Sequence, residues 1–440
     1  MSIILKVGVA LTFALLLTFF LLKGNPTFFG AGVFIILFPI FFARPVYYFI
    51  FFMIIRPIVD LSLRGNLPGN KLSVILVIPF IFLCIKDIFL NQESRETLRD
   101  SPILKKINFI LLLLLITYLM SFITSRDRIT SLMDLIRYIA IAVSINYTVI
   151  NFSSSQIKKE QFIKIIFFSS LAPLLFGFKQ AITKTGVHEA GFNRIFGTFA
   201  HQNVYAEYLV LVIFLAFYMF SRAPKKTWQK KIFGGLLCLY LLSLCLTYTR
   251  TLWIAFAISI LMYIFLKRGS SKKIVYLVVI LSIFGAAFSQ IKDRFKDISH
   301  SEGNRSSWQW RIELWRDAIK DLQKHPFLGN GLGMFEKEQG VMAHNDYLRT
   351  SYESGIPSAF ITLLFFIFLF SYSMFAALKA SDDEQDRFLI ATSLVLTLFI
   401  ASQAVNTLRN TTIMVYYLSV IAIFIESVPK KISYENPLSQ

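Results

Sequence analysis

Three ionisable residues lie beside long apolar segments, where a charged side chain is costly and is therefore a functional candidate. Arg194 precedes one apolar segment, Arg250 lies between two segments with almost no loop, and His344 lies shortly before another. Arginine keeps its charge at every relevant pH, and its planar fork of donors matches two oxygens of a phosphate. Histidine accepts a proton near neutral pH and can activate a hydroxyl group. The combination predicts transfer of a group from a lipid diphosphate to an alcohol.

Each residue also has a simpler interpretation. An arginine at the end of a membrane span often extends to the interface as an anchor, and His344 could be a hydrogen-bonded residue at a packing interface. The spacing of His201, His344 and Asp346 matches no common metal site, so we predict that no metal is bound. The glycine-rich segment 329–333 follows no predicted strand and is therefore weak as a phosphate-binding loop.

The elements that must position these residues are membrane spans. The 440 residues are 55% hydrophobic and only 16% charged, and they include 46 phenylalanines, more apolar mass than a soluble core of this length needs. The net charge of +19 comes from Lys and Arg clustered at the ends of apolar segments. That placement is typical of the positive-inside rule, and we predict no nucleic-acid binding. The three cysteines lie within apolar segments without metal-ligand spacing.

Apolar segments long enough to cross a bilayer recur along the whole chain. About 20 residues are needed for each crossing. We therefore predict an all-α, polytopic transmembrane helical bundle of about 12 to 14 spans. The first apolar segment lacks a signal-peptide cleavage site and is predicted to be a retained span. The predicted spans are 3–22, 27–43, 45–60, 72–90, 107–124, 132–152, 162–182, 204–220, 232–247, 252–266, 274–289, 356–378, 388–405 and 413–428.

Basic loops orient the predicted bundle. The loops 221–231 and 267–273 are rich in Lys and Arg and are predicted to be cytoplasmic. Alternation then places both termini in the cytoplasm. The chain divides into spans one to eleven with short loops over 1–289, a large external loop over 290–355, the last three spans over 356–428 and a cytoplasmic tail over 429–440. Arg194, Arg250 and His344 all fall on the external side.

The external loop is predicted to contain short amphipathic helices. A helix over 308–322 begins after a pair of serines that can cap it, and Ile312, Trp315, Ile319 and Leu322 fall on one face. Together with Trp308 and Trp310, this pattern favours a helix at the membrane surface.

The order and spacing of these motifs resemble the bacterial O-antigen ligase and O-antigen polymerase superfamily, which includes oligosaccharyltransferases acting on proteins. The resemblance covers roughly Arg194 to Gly355. It is carried by Arg194 with Gly197-Thr198-Phe199 and Asn203, Thr249-Arg250, Trp315-Arg316, His325-Pro326 with the glycine-rich segment and Phe335, and His344-Asn345-Asp346-Tyr347-Leu348 with Glu353-Ser354-Gly355.

The resemblance implies a membrane glycosyltransferase in surface polysaccharide biosynthesis. Such an enzyme takes a glycan from undecaprenyl diphosphate at the outer face of the bacterial cytoplasmic (inner) membrane and passes it to a hydroxyl of a glycan, lipid A-core or another acceptor. No cofactor, metal or nucleotide sugar is implied. His344 would be the catalytic base, and Arg194 and Arg250 would bind the lipid diphosphate. A second group of residues could support this site: Arg56, Asp60, Asn345, Tyr347 and Glu353. Arg56 and Asp60 could instead form a structural ion pair.

The subtype and one other class stay open. Ligases of this superfamily often have His-Asn, then a glycine after nine residues, then Gly, Thr or Tyr three residues further on; His344-Asn345 and Gly355 fit this pattern, but Ser358 does not. The pattern of polymerases, Arg and Gly separated by ten residues, is not found starting at Arg194, Arg311 or Arg316. The alternative class is a transporter or flippase of the same lipid-linked oligosaccharide, which predicts charges in the middle of several spans and two related halves. Spans nearly free of charge at their centres and the single long loop favour the enzyme.

Overall fold

The computed structural model describes residues 38–59, 69–189, 191–269 and 307–426. The predicted spans 3–22 and 274–289, most of span 27–43, the loop segment 290–306 and the tail 429–440 lie outside the described residues. Asp60, a predicted support of the site, lies outside them as well.

The described chain is helical almost throughout. Its helices, in chain order, are α1 (Pro45–Val59), α2 (Gly69–Leu90), α3 (Gln92–Asp100), α4 (Pro102–Met120), α5 (Arg128–Phe152), α6 (Gln156–Ser169), α7 (Leu171–Thr183), α8 (Gln202–Arg222), α9 (Trp228–Leu246), α10 (Arg250–Leu266), α11 (Ser307–Leu322), α12 (Met334–Gln339), α13 (Asp346–Lys379), α14 (Asp382–Ala401) and α15 (Thr411–Ile425). Two short strands, β1 (Val187–Glu189) and β2 (Phe192–Arg194), form an antiparallel pair.

Six helical segments among the described residues are long and apolar enough to cross a membrane, by length and composition. They are α4, α5, α6 with α7, α8, α9 and α13, and α1, α10 and α15 are shorter apolar helices. The prediction of an all-α polytopic bundle is confirmed, and the protein is a multi-pass membrane protein.

The centre of the bundle is formed by helices that are apolar on all sides. Every residue of α15 is buried, and α8 is buried almost continuously from Tyr205 to Tyr218. Helices α4 and α9 instead carry exposed leucines, such as Leu112 and Leu242. A helix that is hydrophobic all round belongs in a core, whereas an exposed apolar face suits lipid.

The predicted span 162–182 is not a single continuous helix. The chain forms α6 and α7 with a break at Ser170. Pro173 in the first turn of α7 lacks the N–H that a continuous helix would use, so the break falls where proline is tolerated. The predicted loop between residues 183 and 203 also differs, because it contains the hairpin of β1 and β2, with Val187 opposite Arg194.

Helix α13 has a break, and the preceding loop packs against the helix at this point. Ser354 and Gly355 have non-helical backbone angles, and Gly355 has a φ of 83°. The freed groups bond to the loop: the Gly331 N–H donates to the Glu353 carbonyl at 2.9 Å, and the Ile356 N–H donates to the Pro326 carbonyl at 2.8 Å. The glycine-rich segment is therefore a packing element held against α13.

The helix predicted over 308–322 is present as α11, but its buried side differs from the prediction. Leu314, Ala318 and Leu322 are buried, whereas Ile312 and Ile319 are exposed. The buried side packs against Phe335 and Tyr352 of the same region, so contacts within the loop determine which face is covered. Trp315 also faces inward and donates its indole N–H to the Ala343 carbonyl at 2.7 Å.

Candidate functional site

A basic cavity of about 400 Å³ lies where α5, α8 and the segments before α13 and α15 meet. Below we call it the basic cavity. Its wall is formed by Arg56, Arg137, His201, Asn203, Val204, Glu207, Glu336, Met342, His344, Val405, Asn406, Arg409, Asn410, Thr411 and Thr412. Three arginines and two histidines against two glutamates give this wall an excess of donors suited to an anion.

His344 is held at the cavity wall through its backbone. It adopts a left-handed conformation with a φ of 51°, and its N–H donates to the Asn406 side-chain oxygen at 3.0 Å. Its ring lies 6.1 Å from the Trp310 ring in a T-shaped arrangement. The buried Nδ1 atom has no hydrogen-bond partner among the described residues. The hydrogen bond that positions His344 is therefore made by its backbone and leaves Nδ1 unbonded.

Burial and neighbouring cations keep the His344 imidazole neutral. Burial, which is the largest cause, together with the positive charge of Arg311 and the nearby His201, lowers the pKa of His344 to about 4. Burial and Arg250 in turn lower the pKa of the Arg311 guanidinium. The structure thus brings His344 and Arg250 into one electrostatic cluster, with Arg311 interacting with both.

Two of the arginines in the wall are paired with acids. Arg137 pairs with Asp134 on the same helix, and Arg409 pairs with Glu336 of α12. Arg56, a predicted support, is only 6% exposed and lines the same cavity. These cations come from α1, α5 and the segment before α15, so only the folded bundle brings them together.

Arg194 lies behind the wall instead of in it. Its Nε donates to the Thr247 carbonyl at 3.0 Å, and its Nη2 lies 3.3 Å from both Asn203 Oδ1 and Thr249 Oγ1. Its Nη1 pairs with Glu189. Arg194 therefore fixes the hairpin against the α9–α10 junction and orients Asn203, which does line the cavity. Direct binding of a diphosphate by Arg194 stays a prediction.

Three other residues predicted to support the site, Asn345, Tyr347 and Glu353, lie outside the basic cavity. Asn345 caps α13 by accepting a hydrogen bond from the Leu348 N–H at 3.0 Å. Tyr347 lines a different cleft, together with Phe399. Glu353 is 1% exposed and accepts a hydrogen bond from Arg349 at 3.0 Å. Asn345 and Glu353 therefore stabilise the start of α13, and none of the three residues lines the basic cavity.

Several cavity residues were missed in the sequence, namely Arg137, Glu207, Glu336, Asn406 and Arg409. A signal existed for two of them, because Arg137 and Glu207 are ionisable residues inside predicted spans. The other three lie in connecting segments or on a short helix, where a polar residue is ordinary. Arg311 and His201 carried no distinguishing signal beyond their type.

An apolar cavity of about 300 Å³ adjoins the basic one. It lies among α4, α5, α13 and α15, and leucine and phenylalanine side chains form most of its wall. A small cavity between them shares Tyr138, Ile141 and Leu408 with the apolar cavity, and Arg137, Arg409 and Thr411 with the basic cavity. The walls of an apolar and a cationic compartment are thus continuous. Among the described residues, no group of three or more His, Cys, Asp or Glu side chains could hold a metal ion.

The fold and this site define a multi-pass α-helical membrane protein with a cationic cavity beside an apolar one. The family model described as O-antigen ligase matches residues 235–363, a range that includes Arg250, Arg311 and His344. This part of the chain is similar to the O-antigen ligase family, and the predicted resemblance to that superfamily is confirmed. Comparison with curated proteins finds no match. The family match supports a glycosyltransferase-like role in O-antigen or surface polysaccharide biosynthesis.

Proposed function

We propose that the protein transfers a glycan from undecaprenyl diphosphate to an acceptor hydroxyl, as O-antigen ligases and polymerases do. The observation that carries the proposal is the basic cavity, which combines His344 with Arg56, Arg137 and Arg409 inside a membrane protein that is similar to the O-antigen ligase family. Guanidinium groups bind phosphate oxygens through paired hydrogen bonds, and a neutral imidazole accepts a proton.

The two adjoining cavities fit the two parts of a lipid diphosphate. The diphosphate would lie in the basic cavity, with Arg250 contributing through its interaction with Arg311, which in turn interacts with His344. The polyprenyl chain would lie against the apolar cavity, whose lining around Tyr138 and Leu408 joins the two. Arg194 would act by holding Asn203, or directly if its partners rearrange when donor binds.

The proposed reaction is a displacement at the anomeric carbon of the donor glycan. The acceptor oxygen forms the new bond to that carbon while its proton passes to His344. The bond from the anomeric carbon to the phosphate oxygen breaks, and undecaprenyl diphosphate leaves with its charge stabilised by the arginines. Bound diphosphate also offsets the positive charge around His344, which raises the pKa of the imidazole as the proton is taken up.

The proposed site lies on the external side of the bacterial inner membrane, with both termini in the cytoplasm. The supporting argument is the distribution of Lys and Arg in the short loops. The proposed domain organisation is that of spans 1–289, external loop 290–355, spans 356–428 and tail 429–440. Donor and acceptor glycans would reach the cavity from the external side, and the lipid chain from the bilayer.

Transfer with purified full-length protein tests the proposal. The donor is the lipid-linked glycan extracted from cells that lack the protein, and the acceptors are lipid A-core and a second lipid-linked repeat unit. We expect a product whose mass equals donor glycan plus acceptor, formed equally with and without a chelator. Absence of product with every acceptor, or strict dependence on added metal, would count against the proposed reaction.

Glycan profiling of a deletion strain distinguishes the two subtypes. Loss of a polymerase leaves single repeat units on the final acceptor. Loss of a ligase leaves polymer attached to undecaprenyl diphosphate. A strain with lipid-linked glycan confined to the cytoplasmic leaflet would instead support the flippase.

A further inference from the structure

A buried carboxyl group in the wall of the basic cavity has one oxygen without a hydrogen-bond partner among the described residues. Glu207 of α8 is 1% exposed and belongs to the cavity wall. Its Oε1 accepts a hydrogen bond from the Thr407 hydroxyl at 2.7 Å. Its Oε2 is buried and has no hydrogen-bond partner among the described residues. Leaving such an atom unsatisfied is costly, so a group that binds here and donates a hydrogen bond would recover that cost.

The surrounding contacts fix this carboxylate in place. The Tyr417 hydroxyl donates to the Glu207 backbone carbonyl at 2.8 Å, which ties α8 to α15 at this residue. Thr407 lies in the same connecting segment as Asn406, the residue that holds the His344 backbone. The carboxylate and the imidazole are therefore positioned by neighbouring residues of one segment, and both face the same space.

A bare diphosphate is a poor partner for the unused oxygen of Glu207. That oxygen accepts hydrogen bonds, and an ionised diphosphate has no donor for it, whereas the arginines of the cavity offer only donors. A sugar presents hydroxyl groups that donate to a carboxylate. A cavity with a cationic part and one unused carboxylate oxygen thus fits a glycan joined to a diphosphate better than a bare diphosphate.

We propose that Glu207 is a positioning residue that accepts a hydrogen bond from a hydroxyl group of the lipid-linked glycan, so that the protein recognises sugar as well as diphosphate. This inference rests on the proposed function. It assigns the donor glycan a specific contact on α8, outside the range matched by the O-antigen ligase family. Thr407 supports it by holding the second carboxylate oxygen.

The test compares binding of two lipids to full-length protein in nanodiscs. One is bare undecaprenyl diphosphate, and the other is the lipid-linked glycan that accumulates in cells lacking the protein. The readout is the ratio of the two affinities, because a general change in cavity charge alters both lipids alike. The variants are Glu207→Ala, Glu207→Gln and a matched control, Glu160→Ala. Glu160 lies on α6, beside Arg222 at the opposite end of α8 from Glu207.

We expect the preference for the glycan-bearing lipid to fall about tenfold in Glu207→Ala, since a buried hydrogen bond to the glycan is lost. The preference should fall less in Glu207→Gln, because the amide keeps one oxygen and the same shape. Glu160→Ala should have the same affinity ratio as the wild type. An unchanged ratio in both Glu207 variants overturns the inference, and so does an equal loss for both lipids. If the wild type binds neither lipid, the proposed function fails as well. Thermal unfolding of each variant shows whether it is folded. If Glu207→Ala is misfolded, the affinity ratio of Glu207→Gln decides the outcome.

Discussion

The backbone N–H of His344 lies 3.0 Å from the side-chain oxygen of Asn406, to which it donates. This hydrogen bond joins the turn before α13 to the segment between α14 and α15, two regions 62 residues apart in the chain. It fixes the backbone of the proposed base without using its ring. The imidazole Nδ1 has no hydrogen-bond partner among the described residues.

The first prediction concerns the base. His344→Ala should lower the transfer rate by about 100- to 10,000-fold, the usual contribution of general base catalysis, while binding of undecaprenyl diphosphate persists. The matched control is His325→Ala, because His325 belongs to the same region and is exposed. Single-turnover transfer and lipid binding should be measured on the same preparations. Equal transfer by the two variants would remove His344 from the mechanism.

The second prediction is a pH profile. A base must be neutral, and a lowered imidazole pKa favours the neutral form, so kcat/KM should stay level as the pH falls and decline only near about 4. An unperturbed imidazole would produce that decline near 6.5. The same shift means that protonation of His344 opposes folding, so its contribution to stability is lost as the pH falls from about 6.5 towards 4.

Arg311→Gln supplies the matched test of that profile. Removing a neighbouring positive charge makes the imidazolium less unfavourable, so the acidic decline should move to higher pH. A shift of roughly 0.7 unit corresponds to an interaction of about 1 kcal/mol. Arg316→Gln changes an exposed arginine on the same helix and should leave the profile unaltered. A decline that stays in place in Arg311→Gln contradicts the assignment of His344.

The third prediction separates charge from shape at the arginines. Arg250→Lys keeps the charge but loses the planar fork, so donor KM should rise almost as far as in Arg250→Ala, by about tenfold. Arg126→Lys is the control, since the Arg126 side chain is 84% exposed. Wild-type KM in Arg250→Lys would show that a point charge suffices.

Arg194 should respond differently because its guanidinium contacts several other residues, among them Thr247, Asn203, Thr249 and Glu189. A lysine ammonium cannot reach all of them, so Arg194→Lys should lower the free energy of unfolding by about 2 kcal/mol as well as weaken donor use. Thermal unfolding and donor KM measured together test this. Weakened donor use with unchanged stability would instead favour direct contact with the diphosphate.

The fourth prediction concerns the break in α13. A Cβ on Gly355 would lie 2.1 Å from the Phe327 carbonyl oxygen, and its φ of 83° strains any other residue. Gly355→Ala should therefore destabilise the protein by about 2 kcal/mol or more. Gly235→Ala is the opposite control, because it adds a methyl to a helix with nothing within 4 Å and should be neutral or stabilising. Equal unfolding temperatures for the two variants would contradict the close docking of the loop.

Helix positions followed well from the sequence because they depend on local composition. Segment 204–220 was predicted from its apolar run, and α8 covers it. The buried face of the helix in the external loop was predicted poorly from the sequence. Ile312 and Leu322 share a face on a helical wheel, but only Leu322 is buried. On the buried side of the same helix, Leu314 and Ala318 pack with Phe335 and Tyr352, which come from elsewhere in the chain and are not encoded in helical periodicity.

The sequence by itself determined that this protein is a polytopic helical membrane protein. Long apolar segments are stable in the lipid bilayer, and a helix satisfies all their backbone hydrogen bonds there. It also singled out His344 and Arg250 through their type and their place beside spans. Only the tertiary structure decided that Arg56, Arg137 and Arg409 share a cavity with His344, that Arg194 supports this cavity from behind, and that Glu207 faces it. These relationships depend on how distant helices pack, and packing between helices is a property of the whole fold.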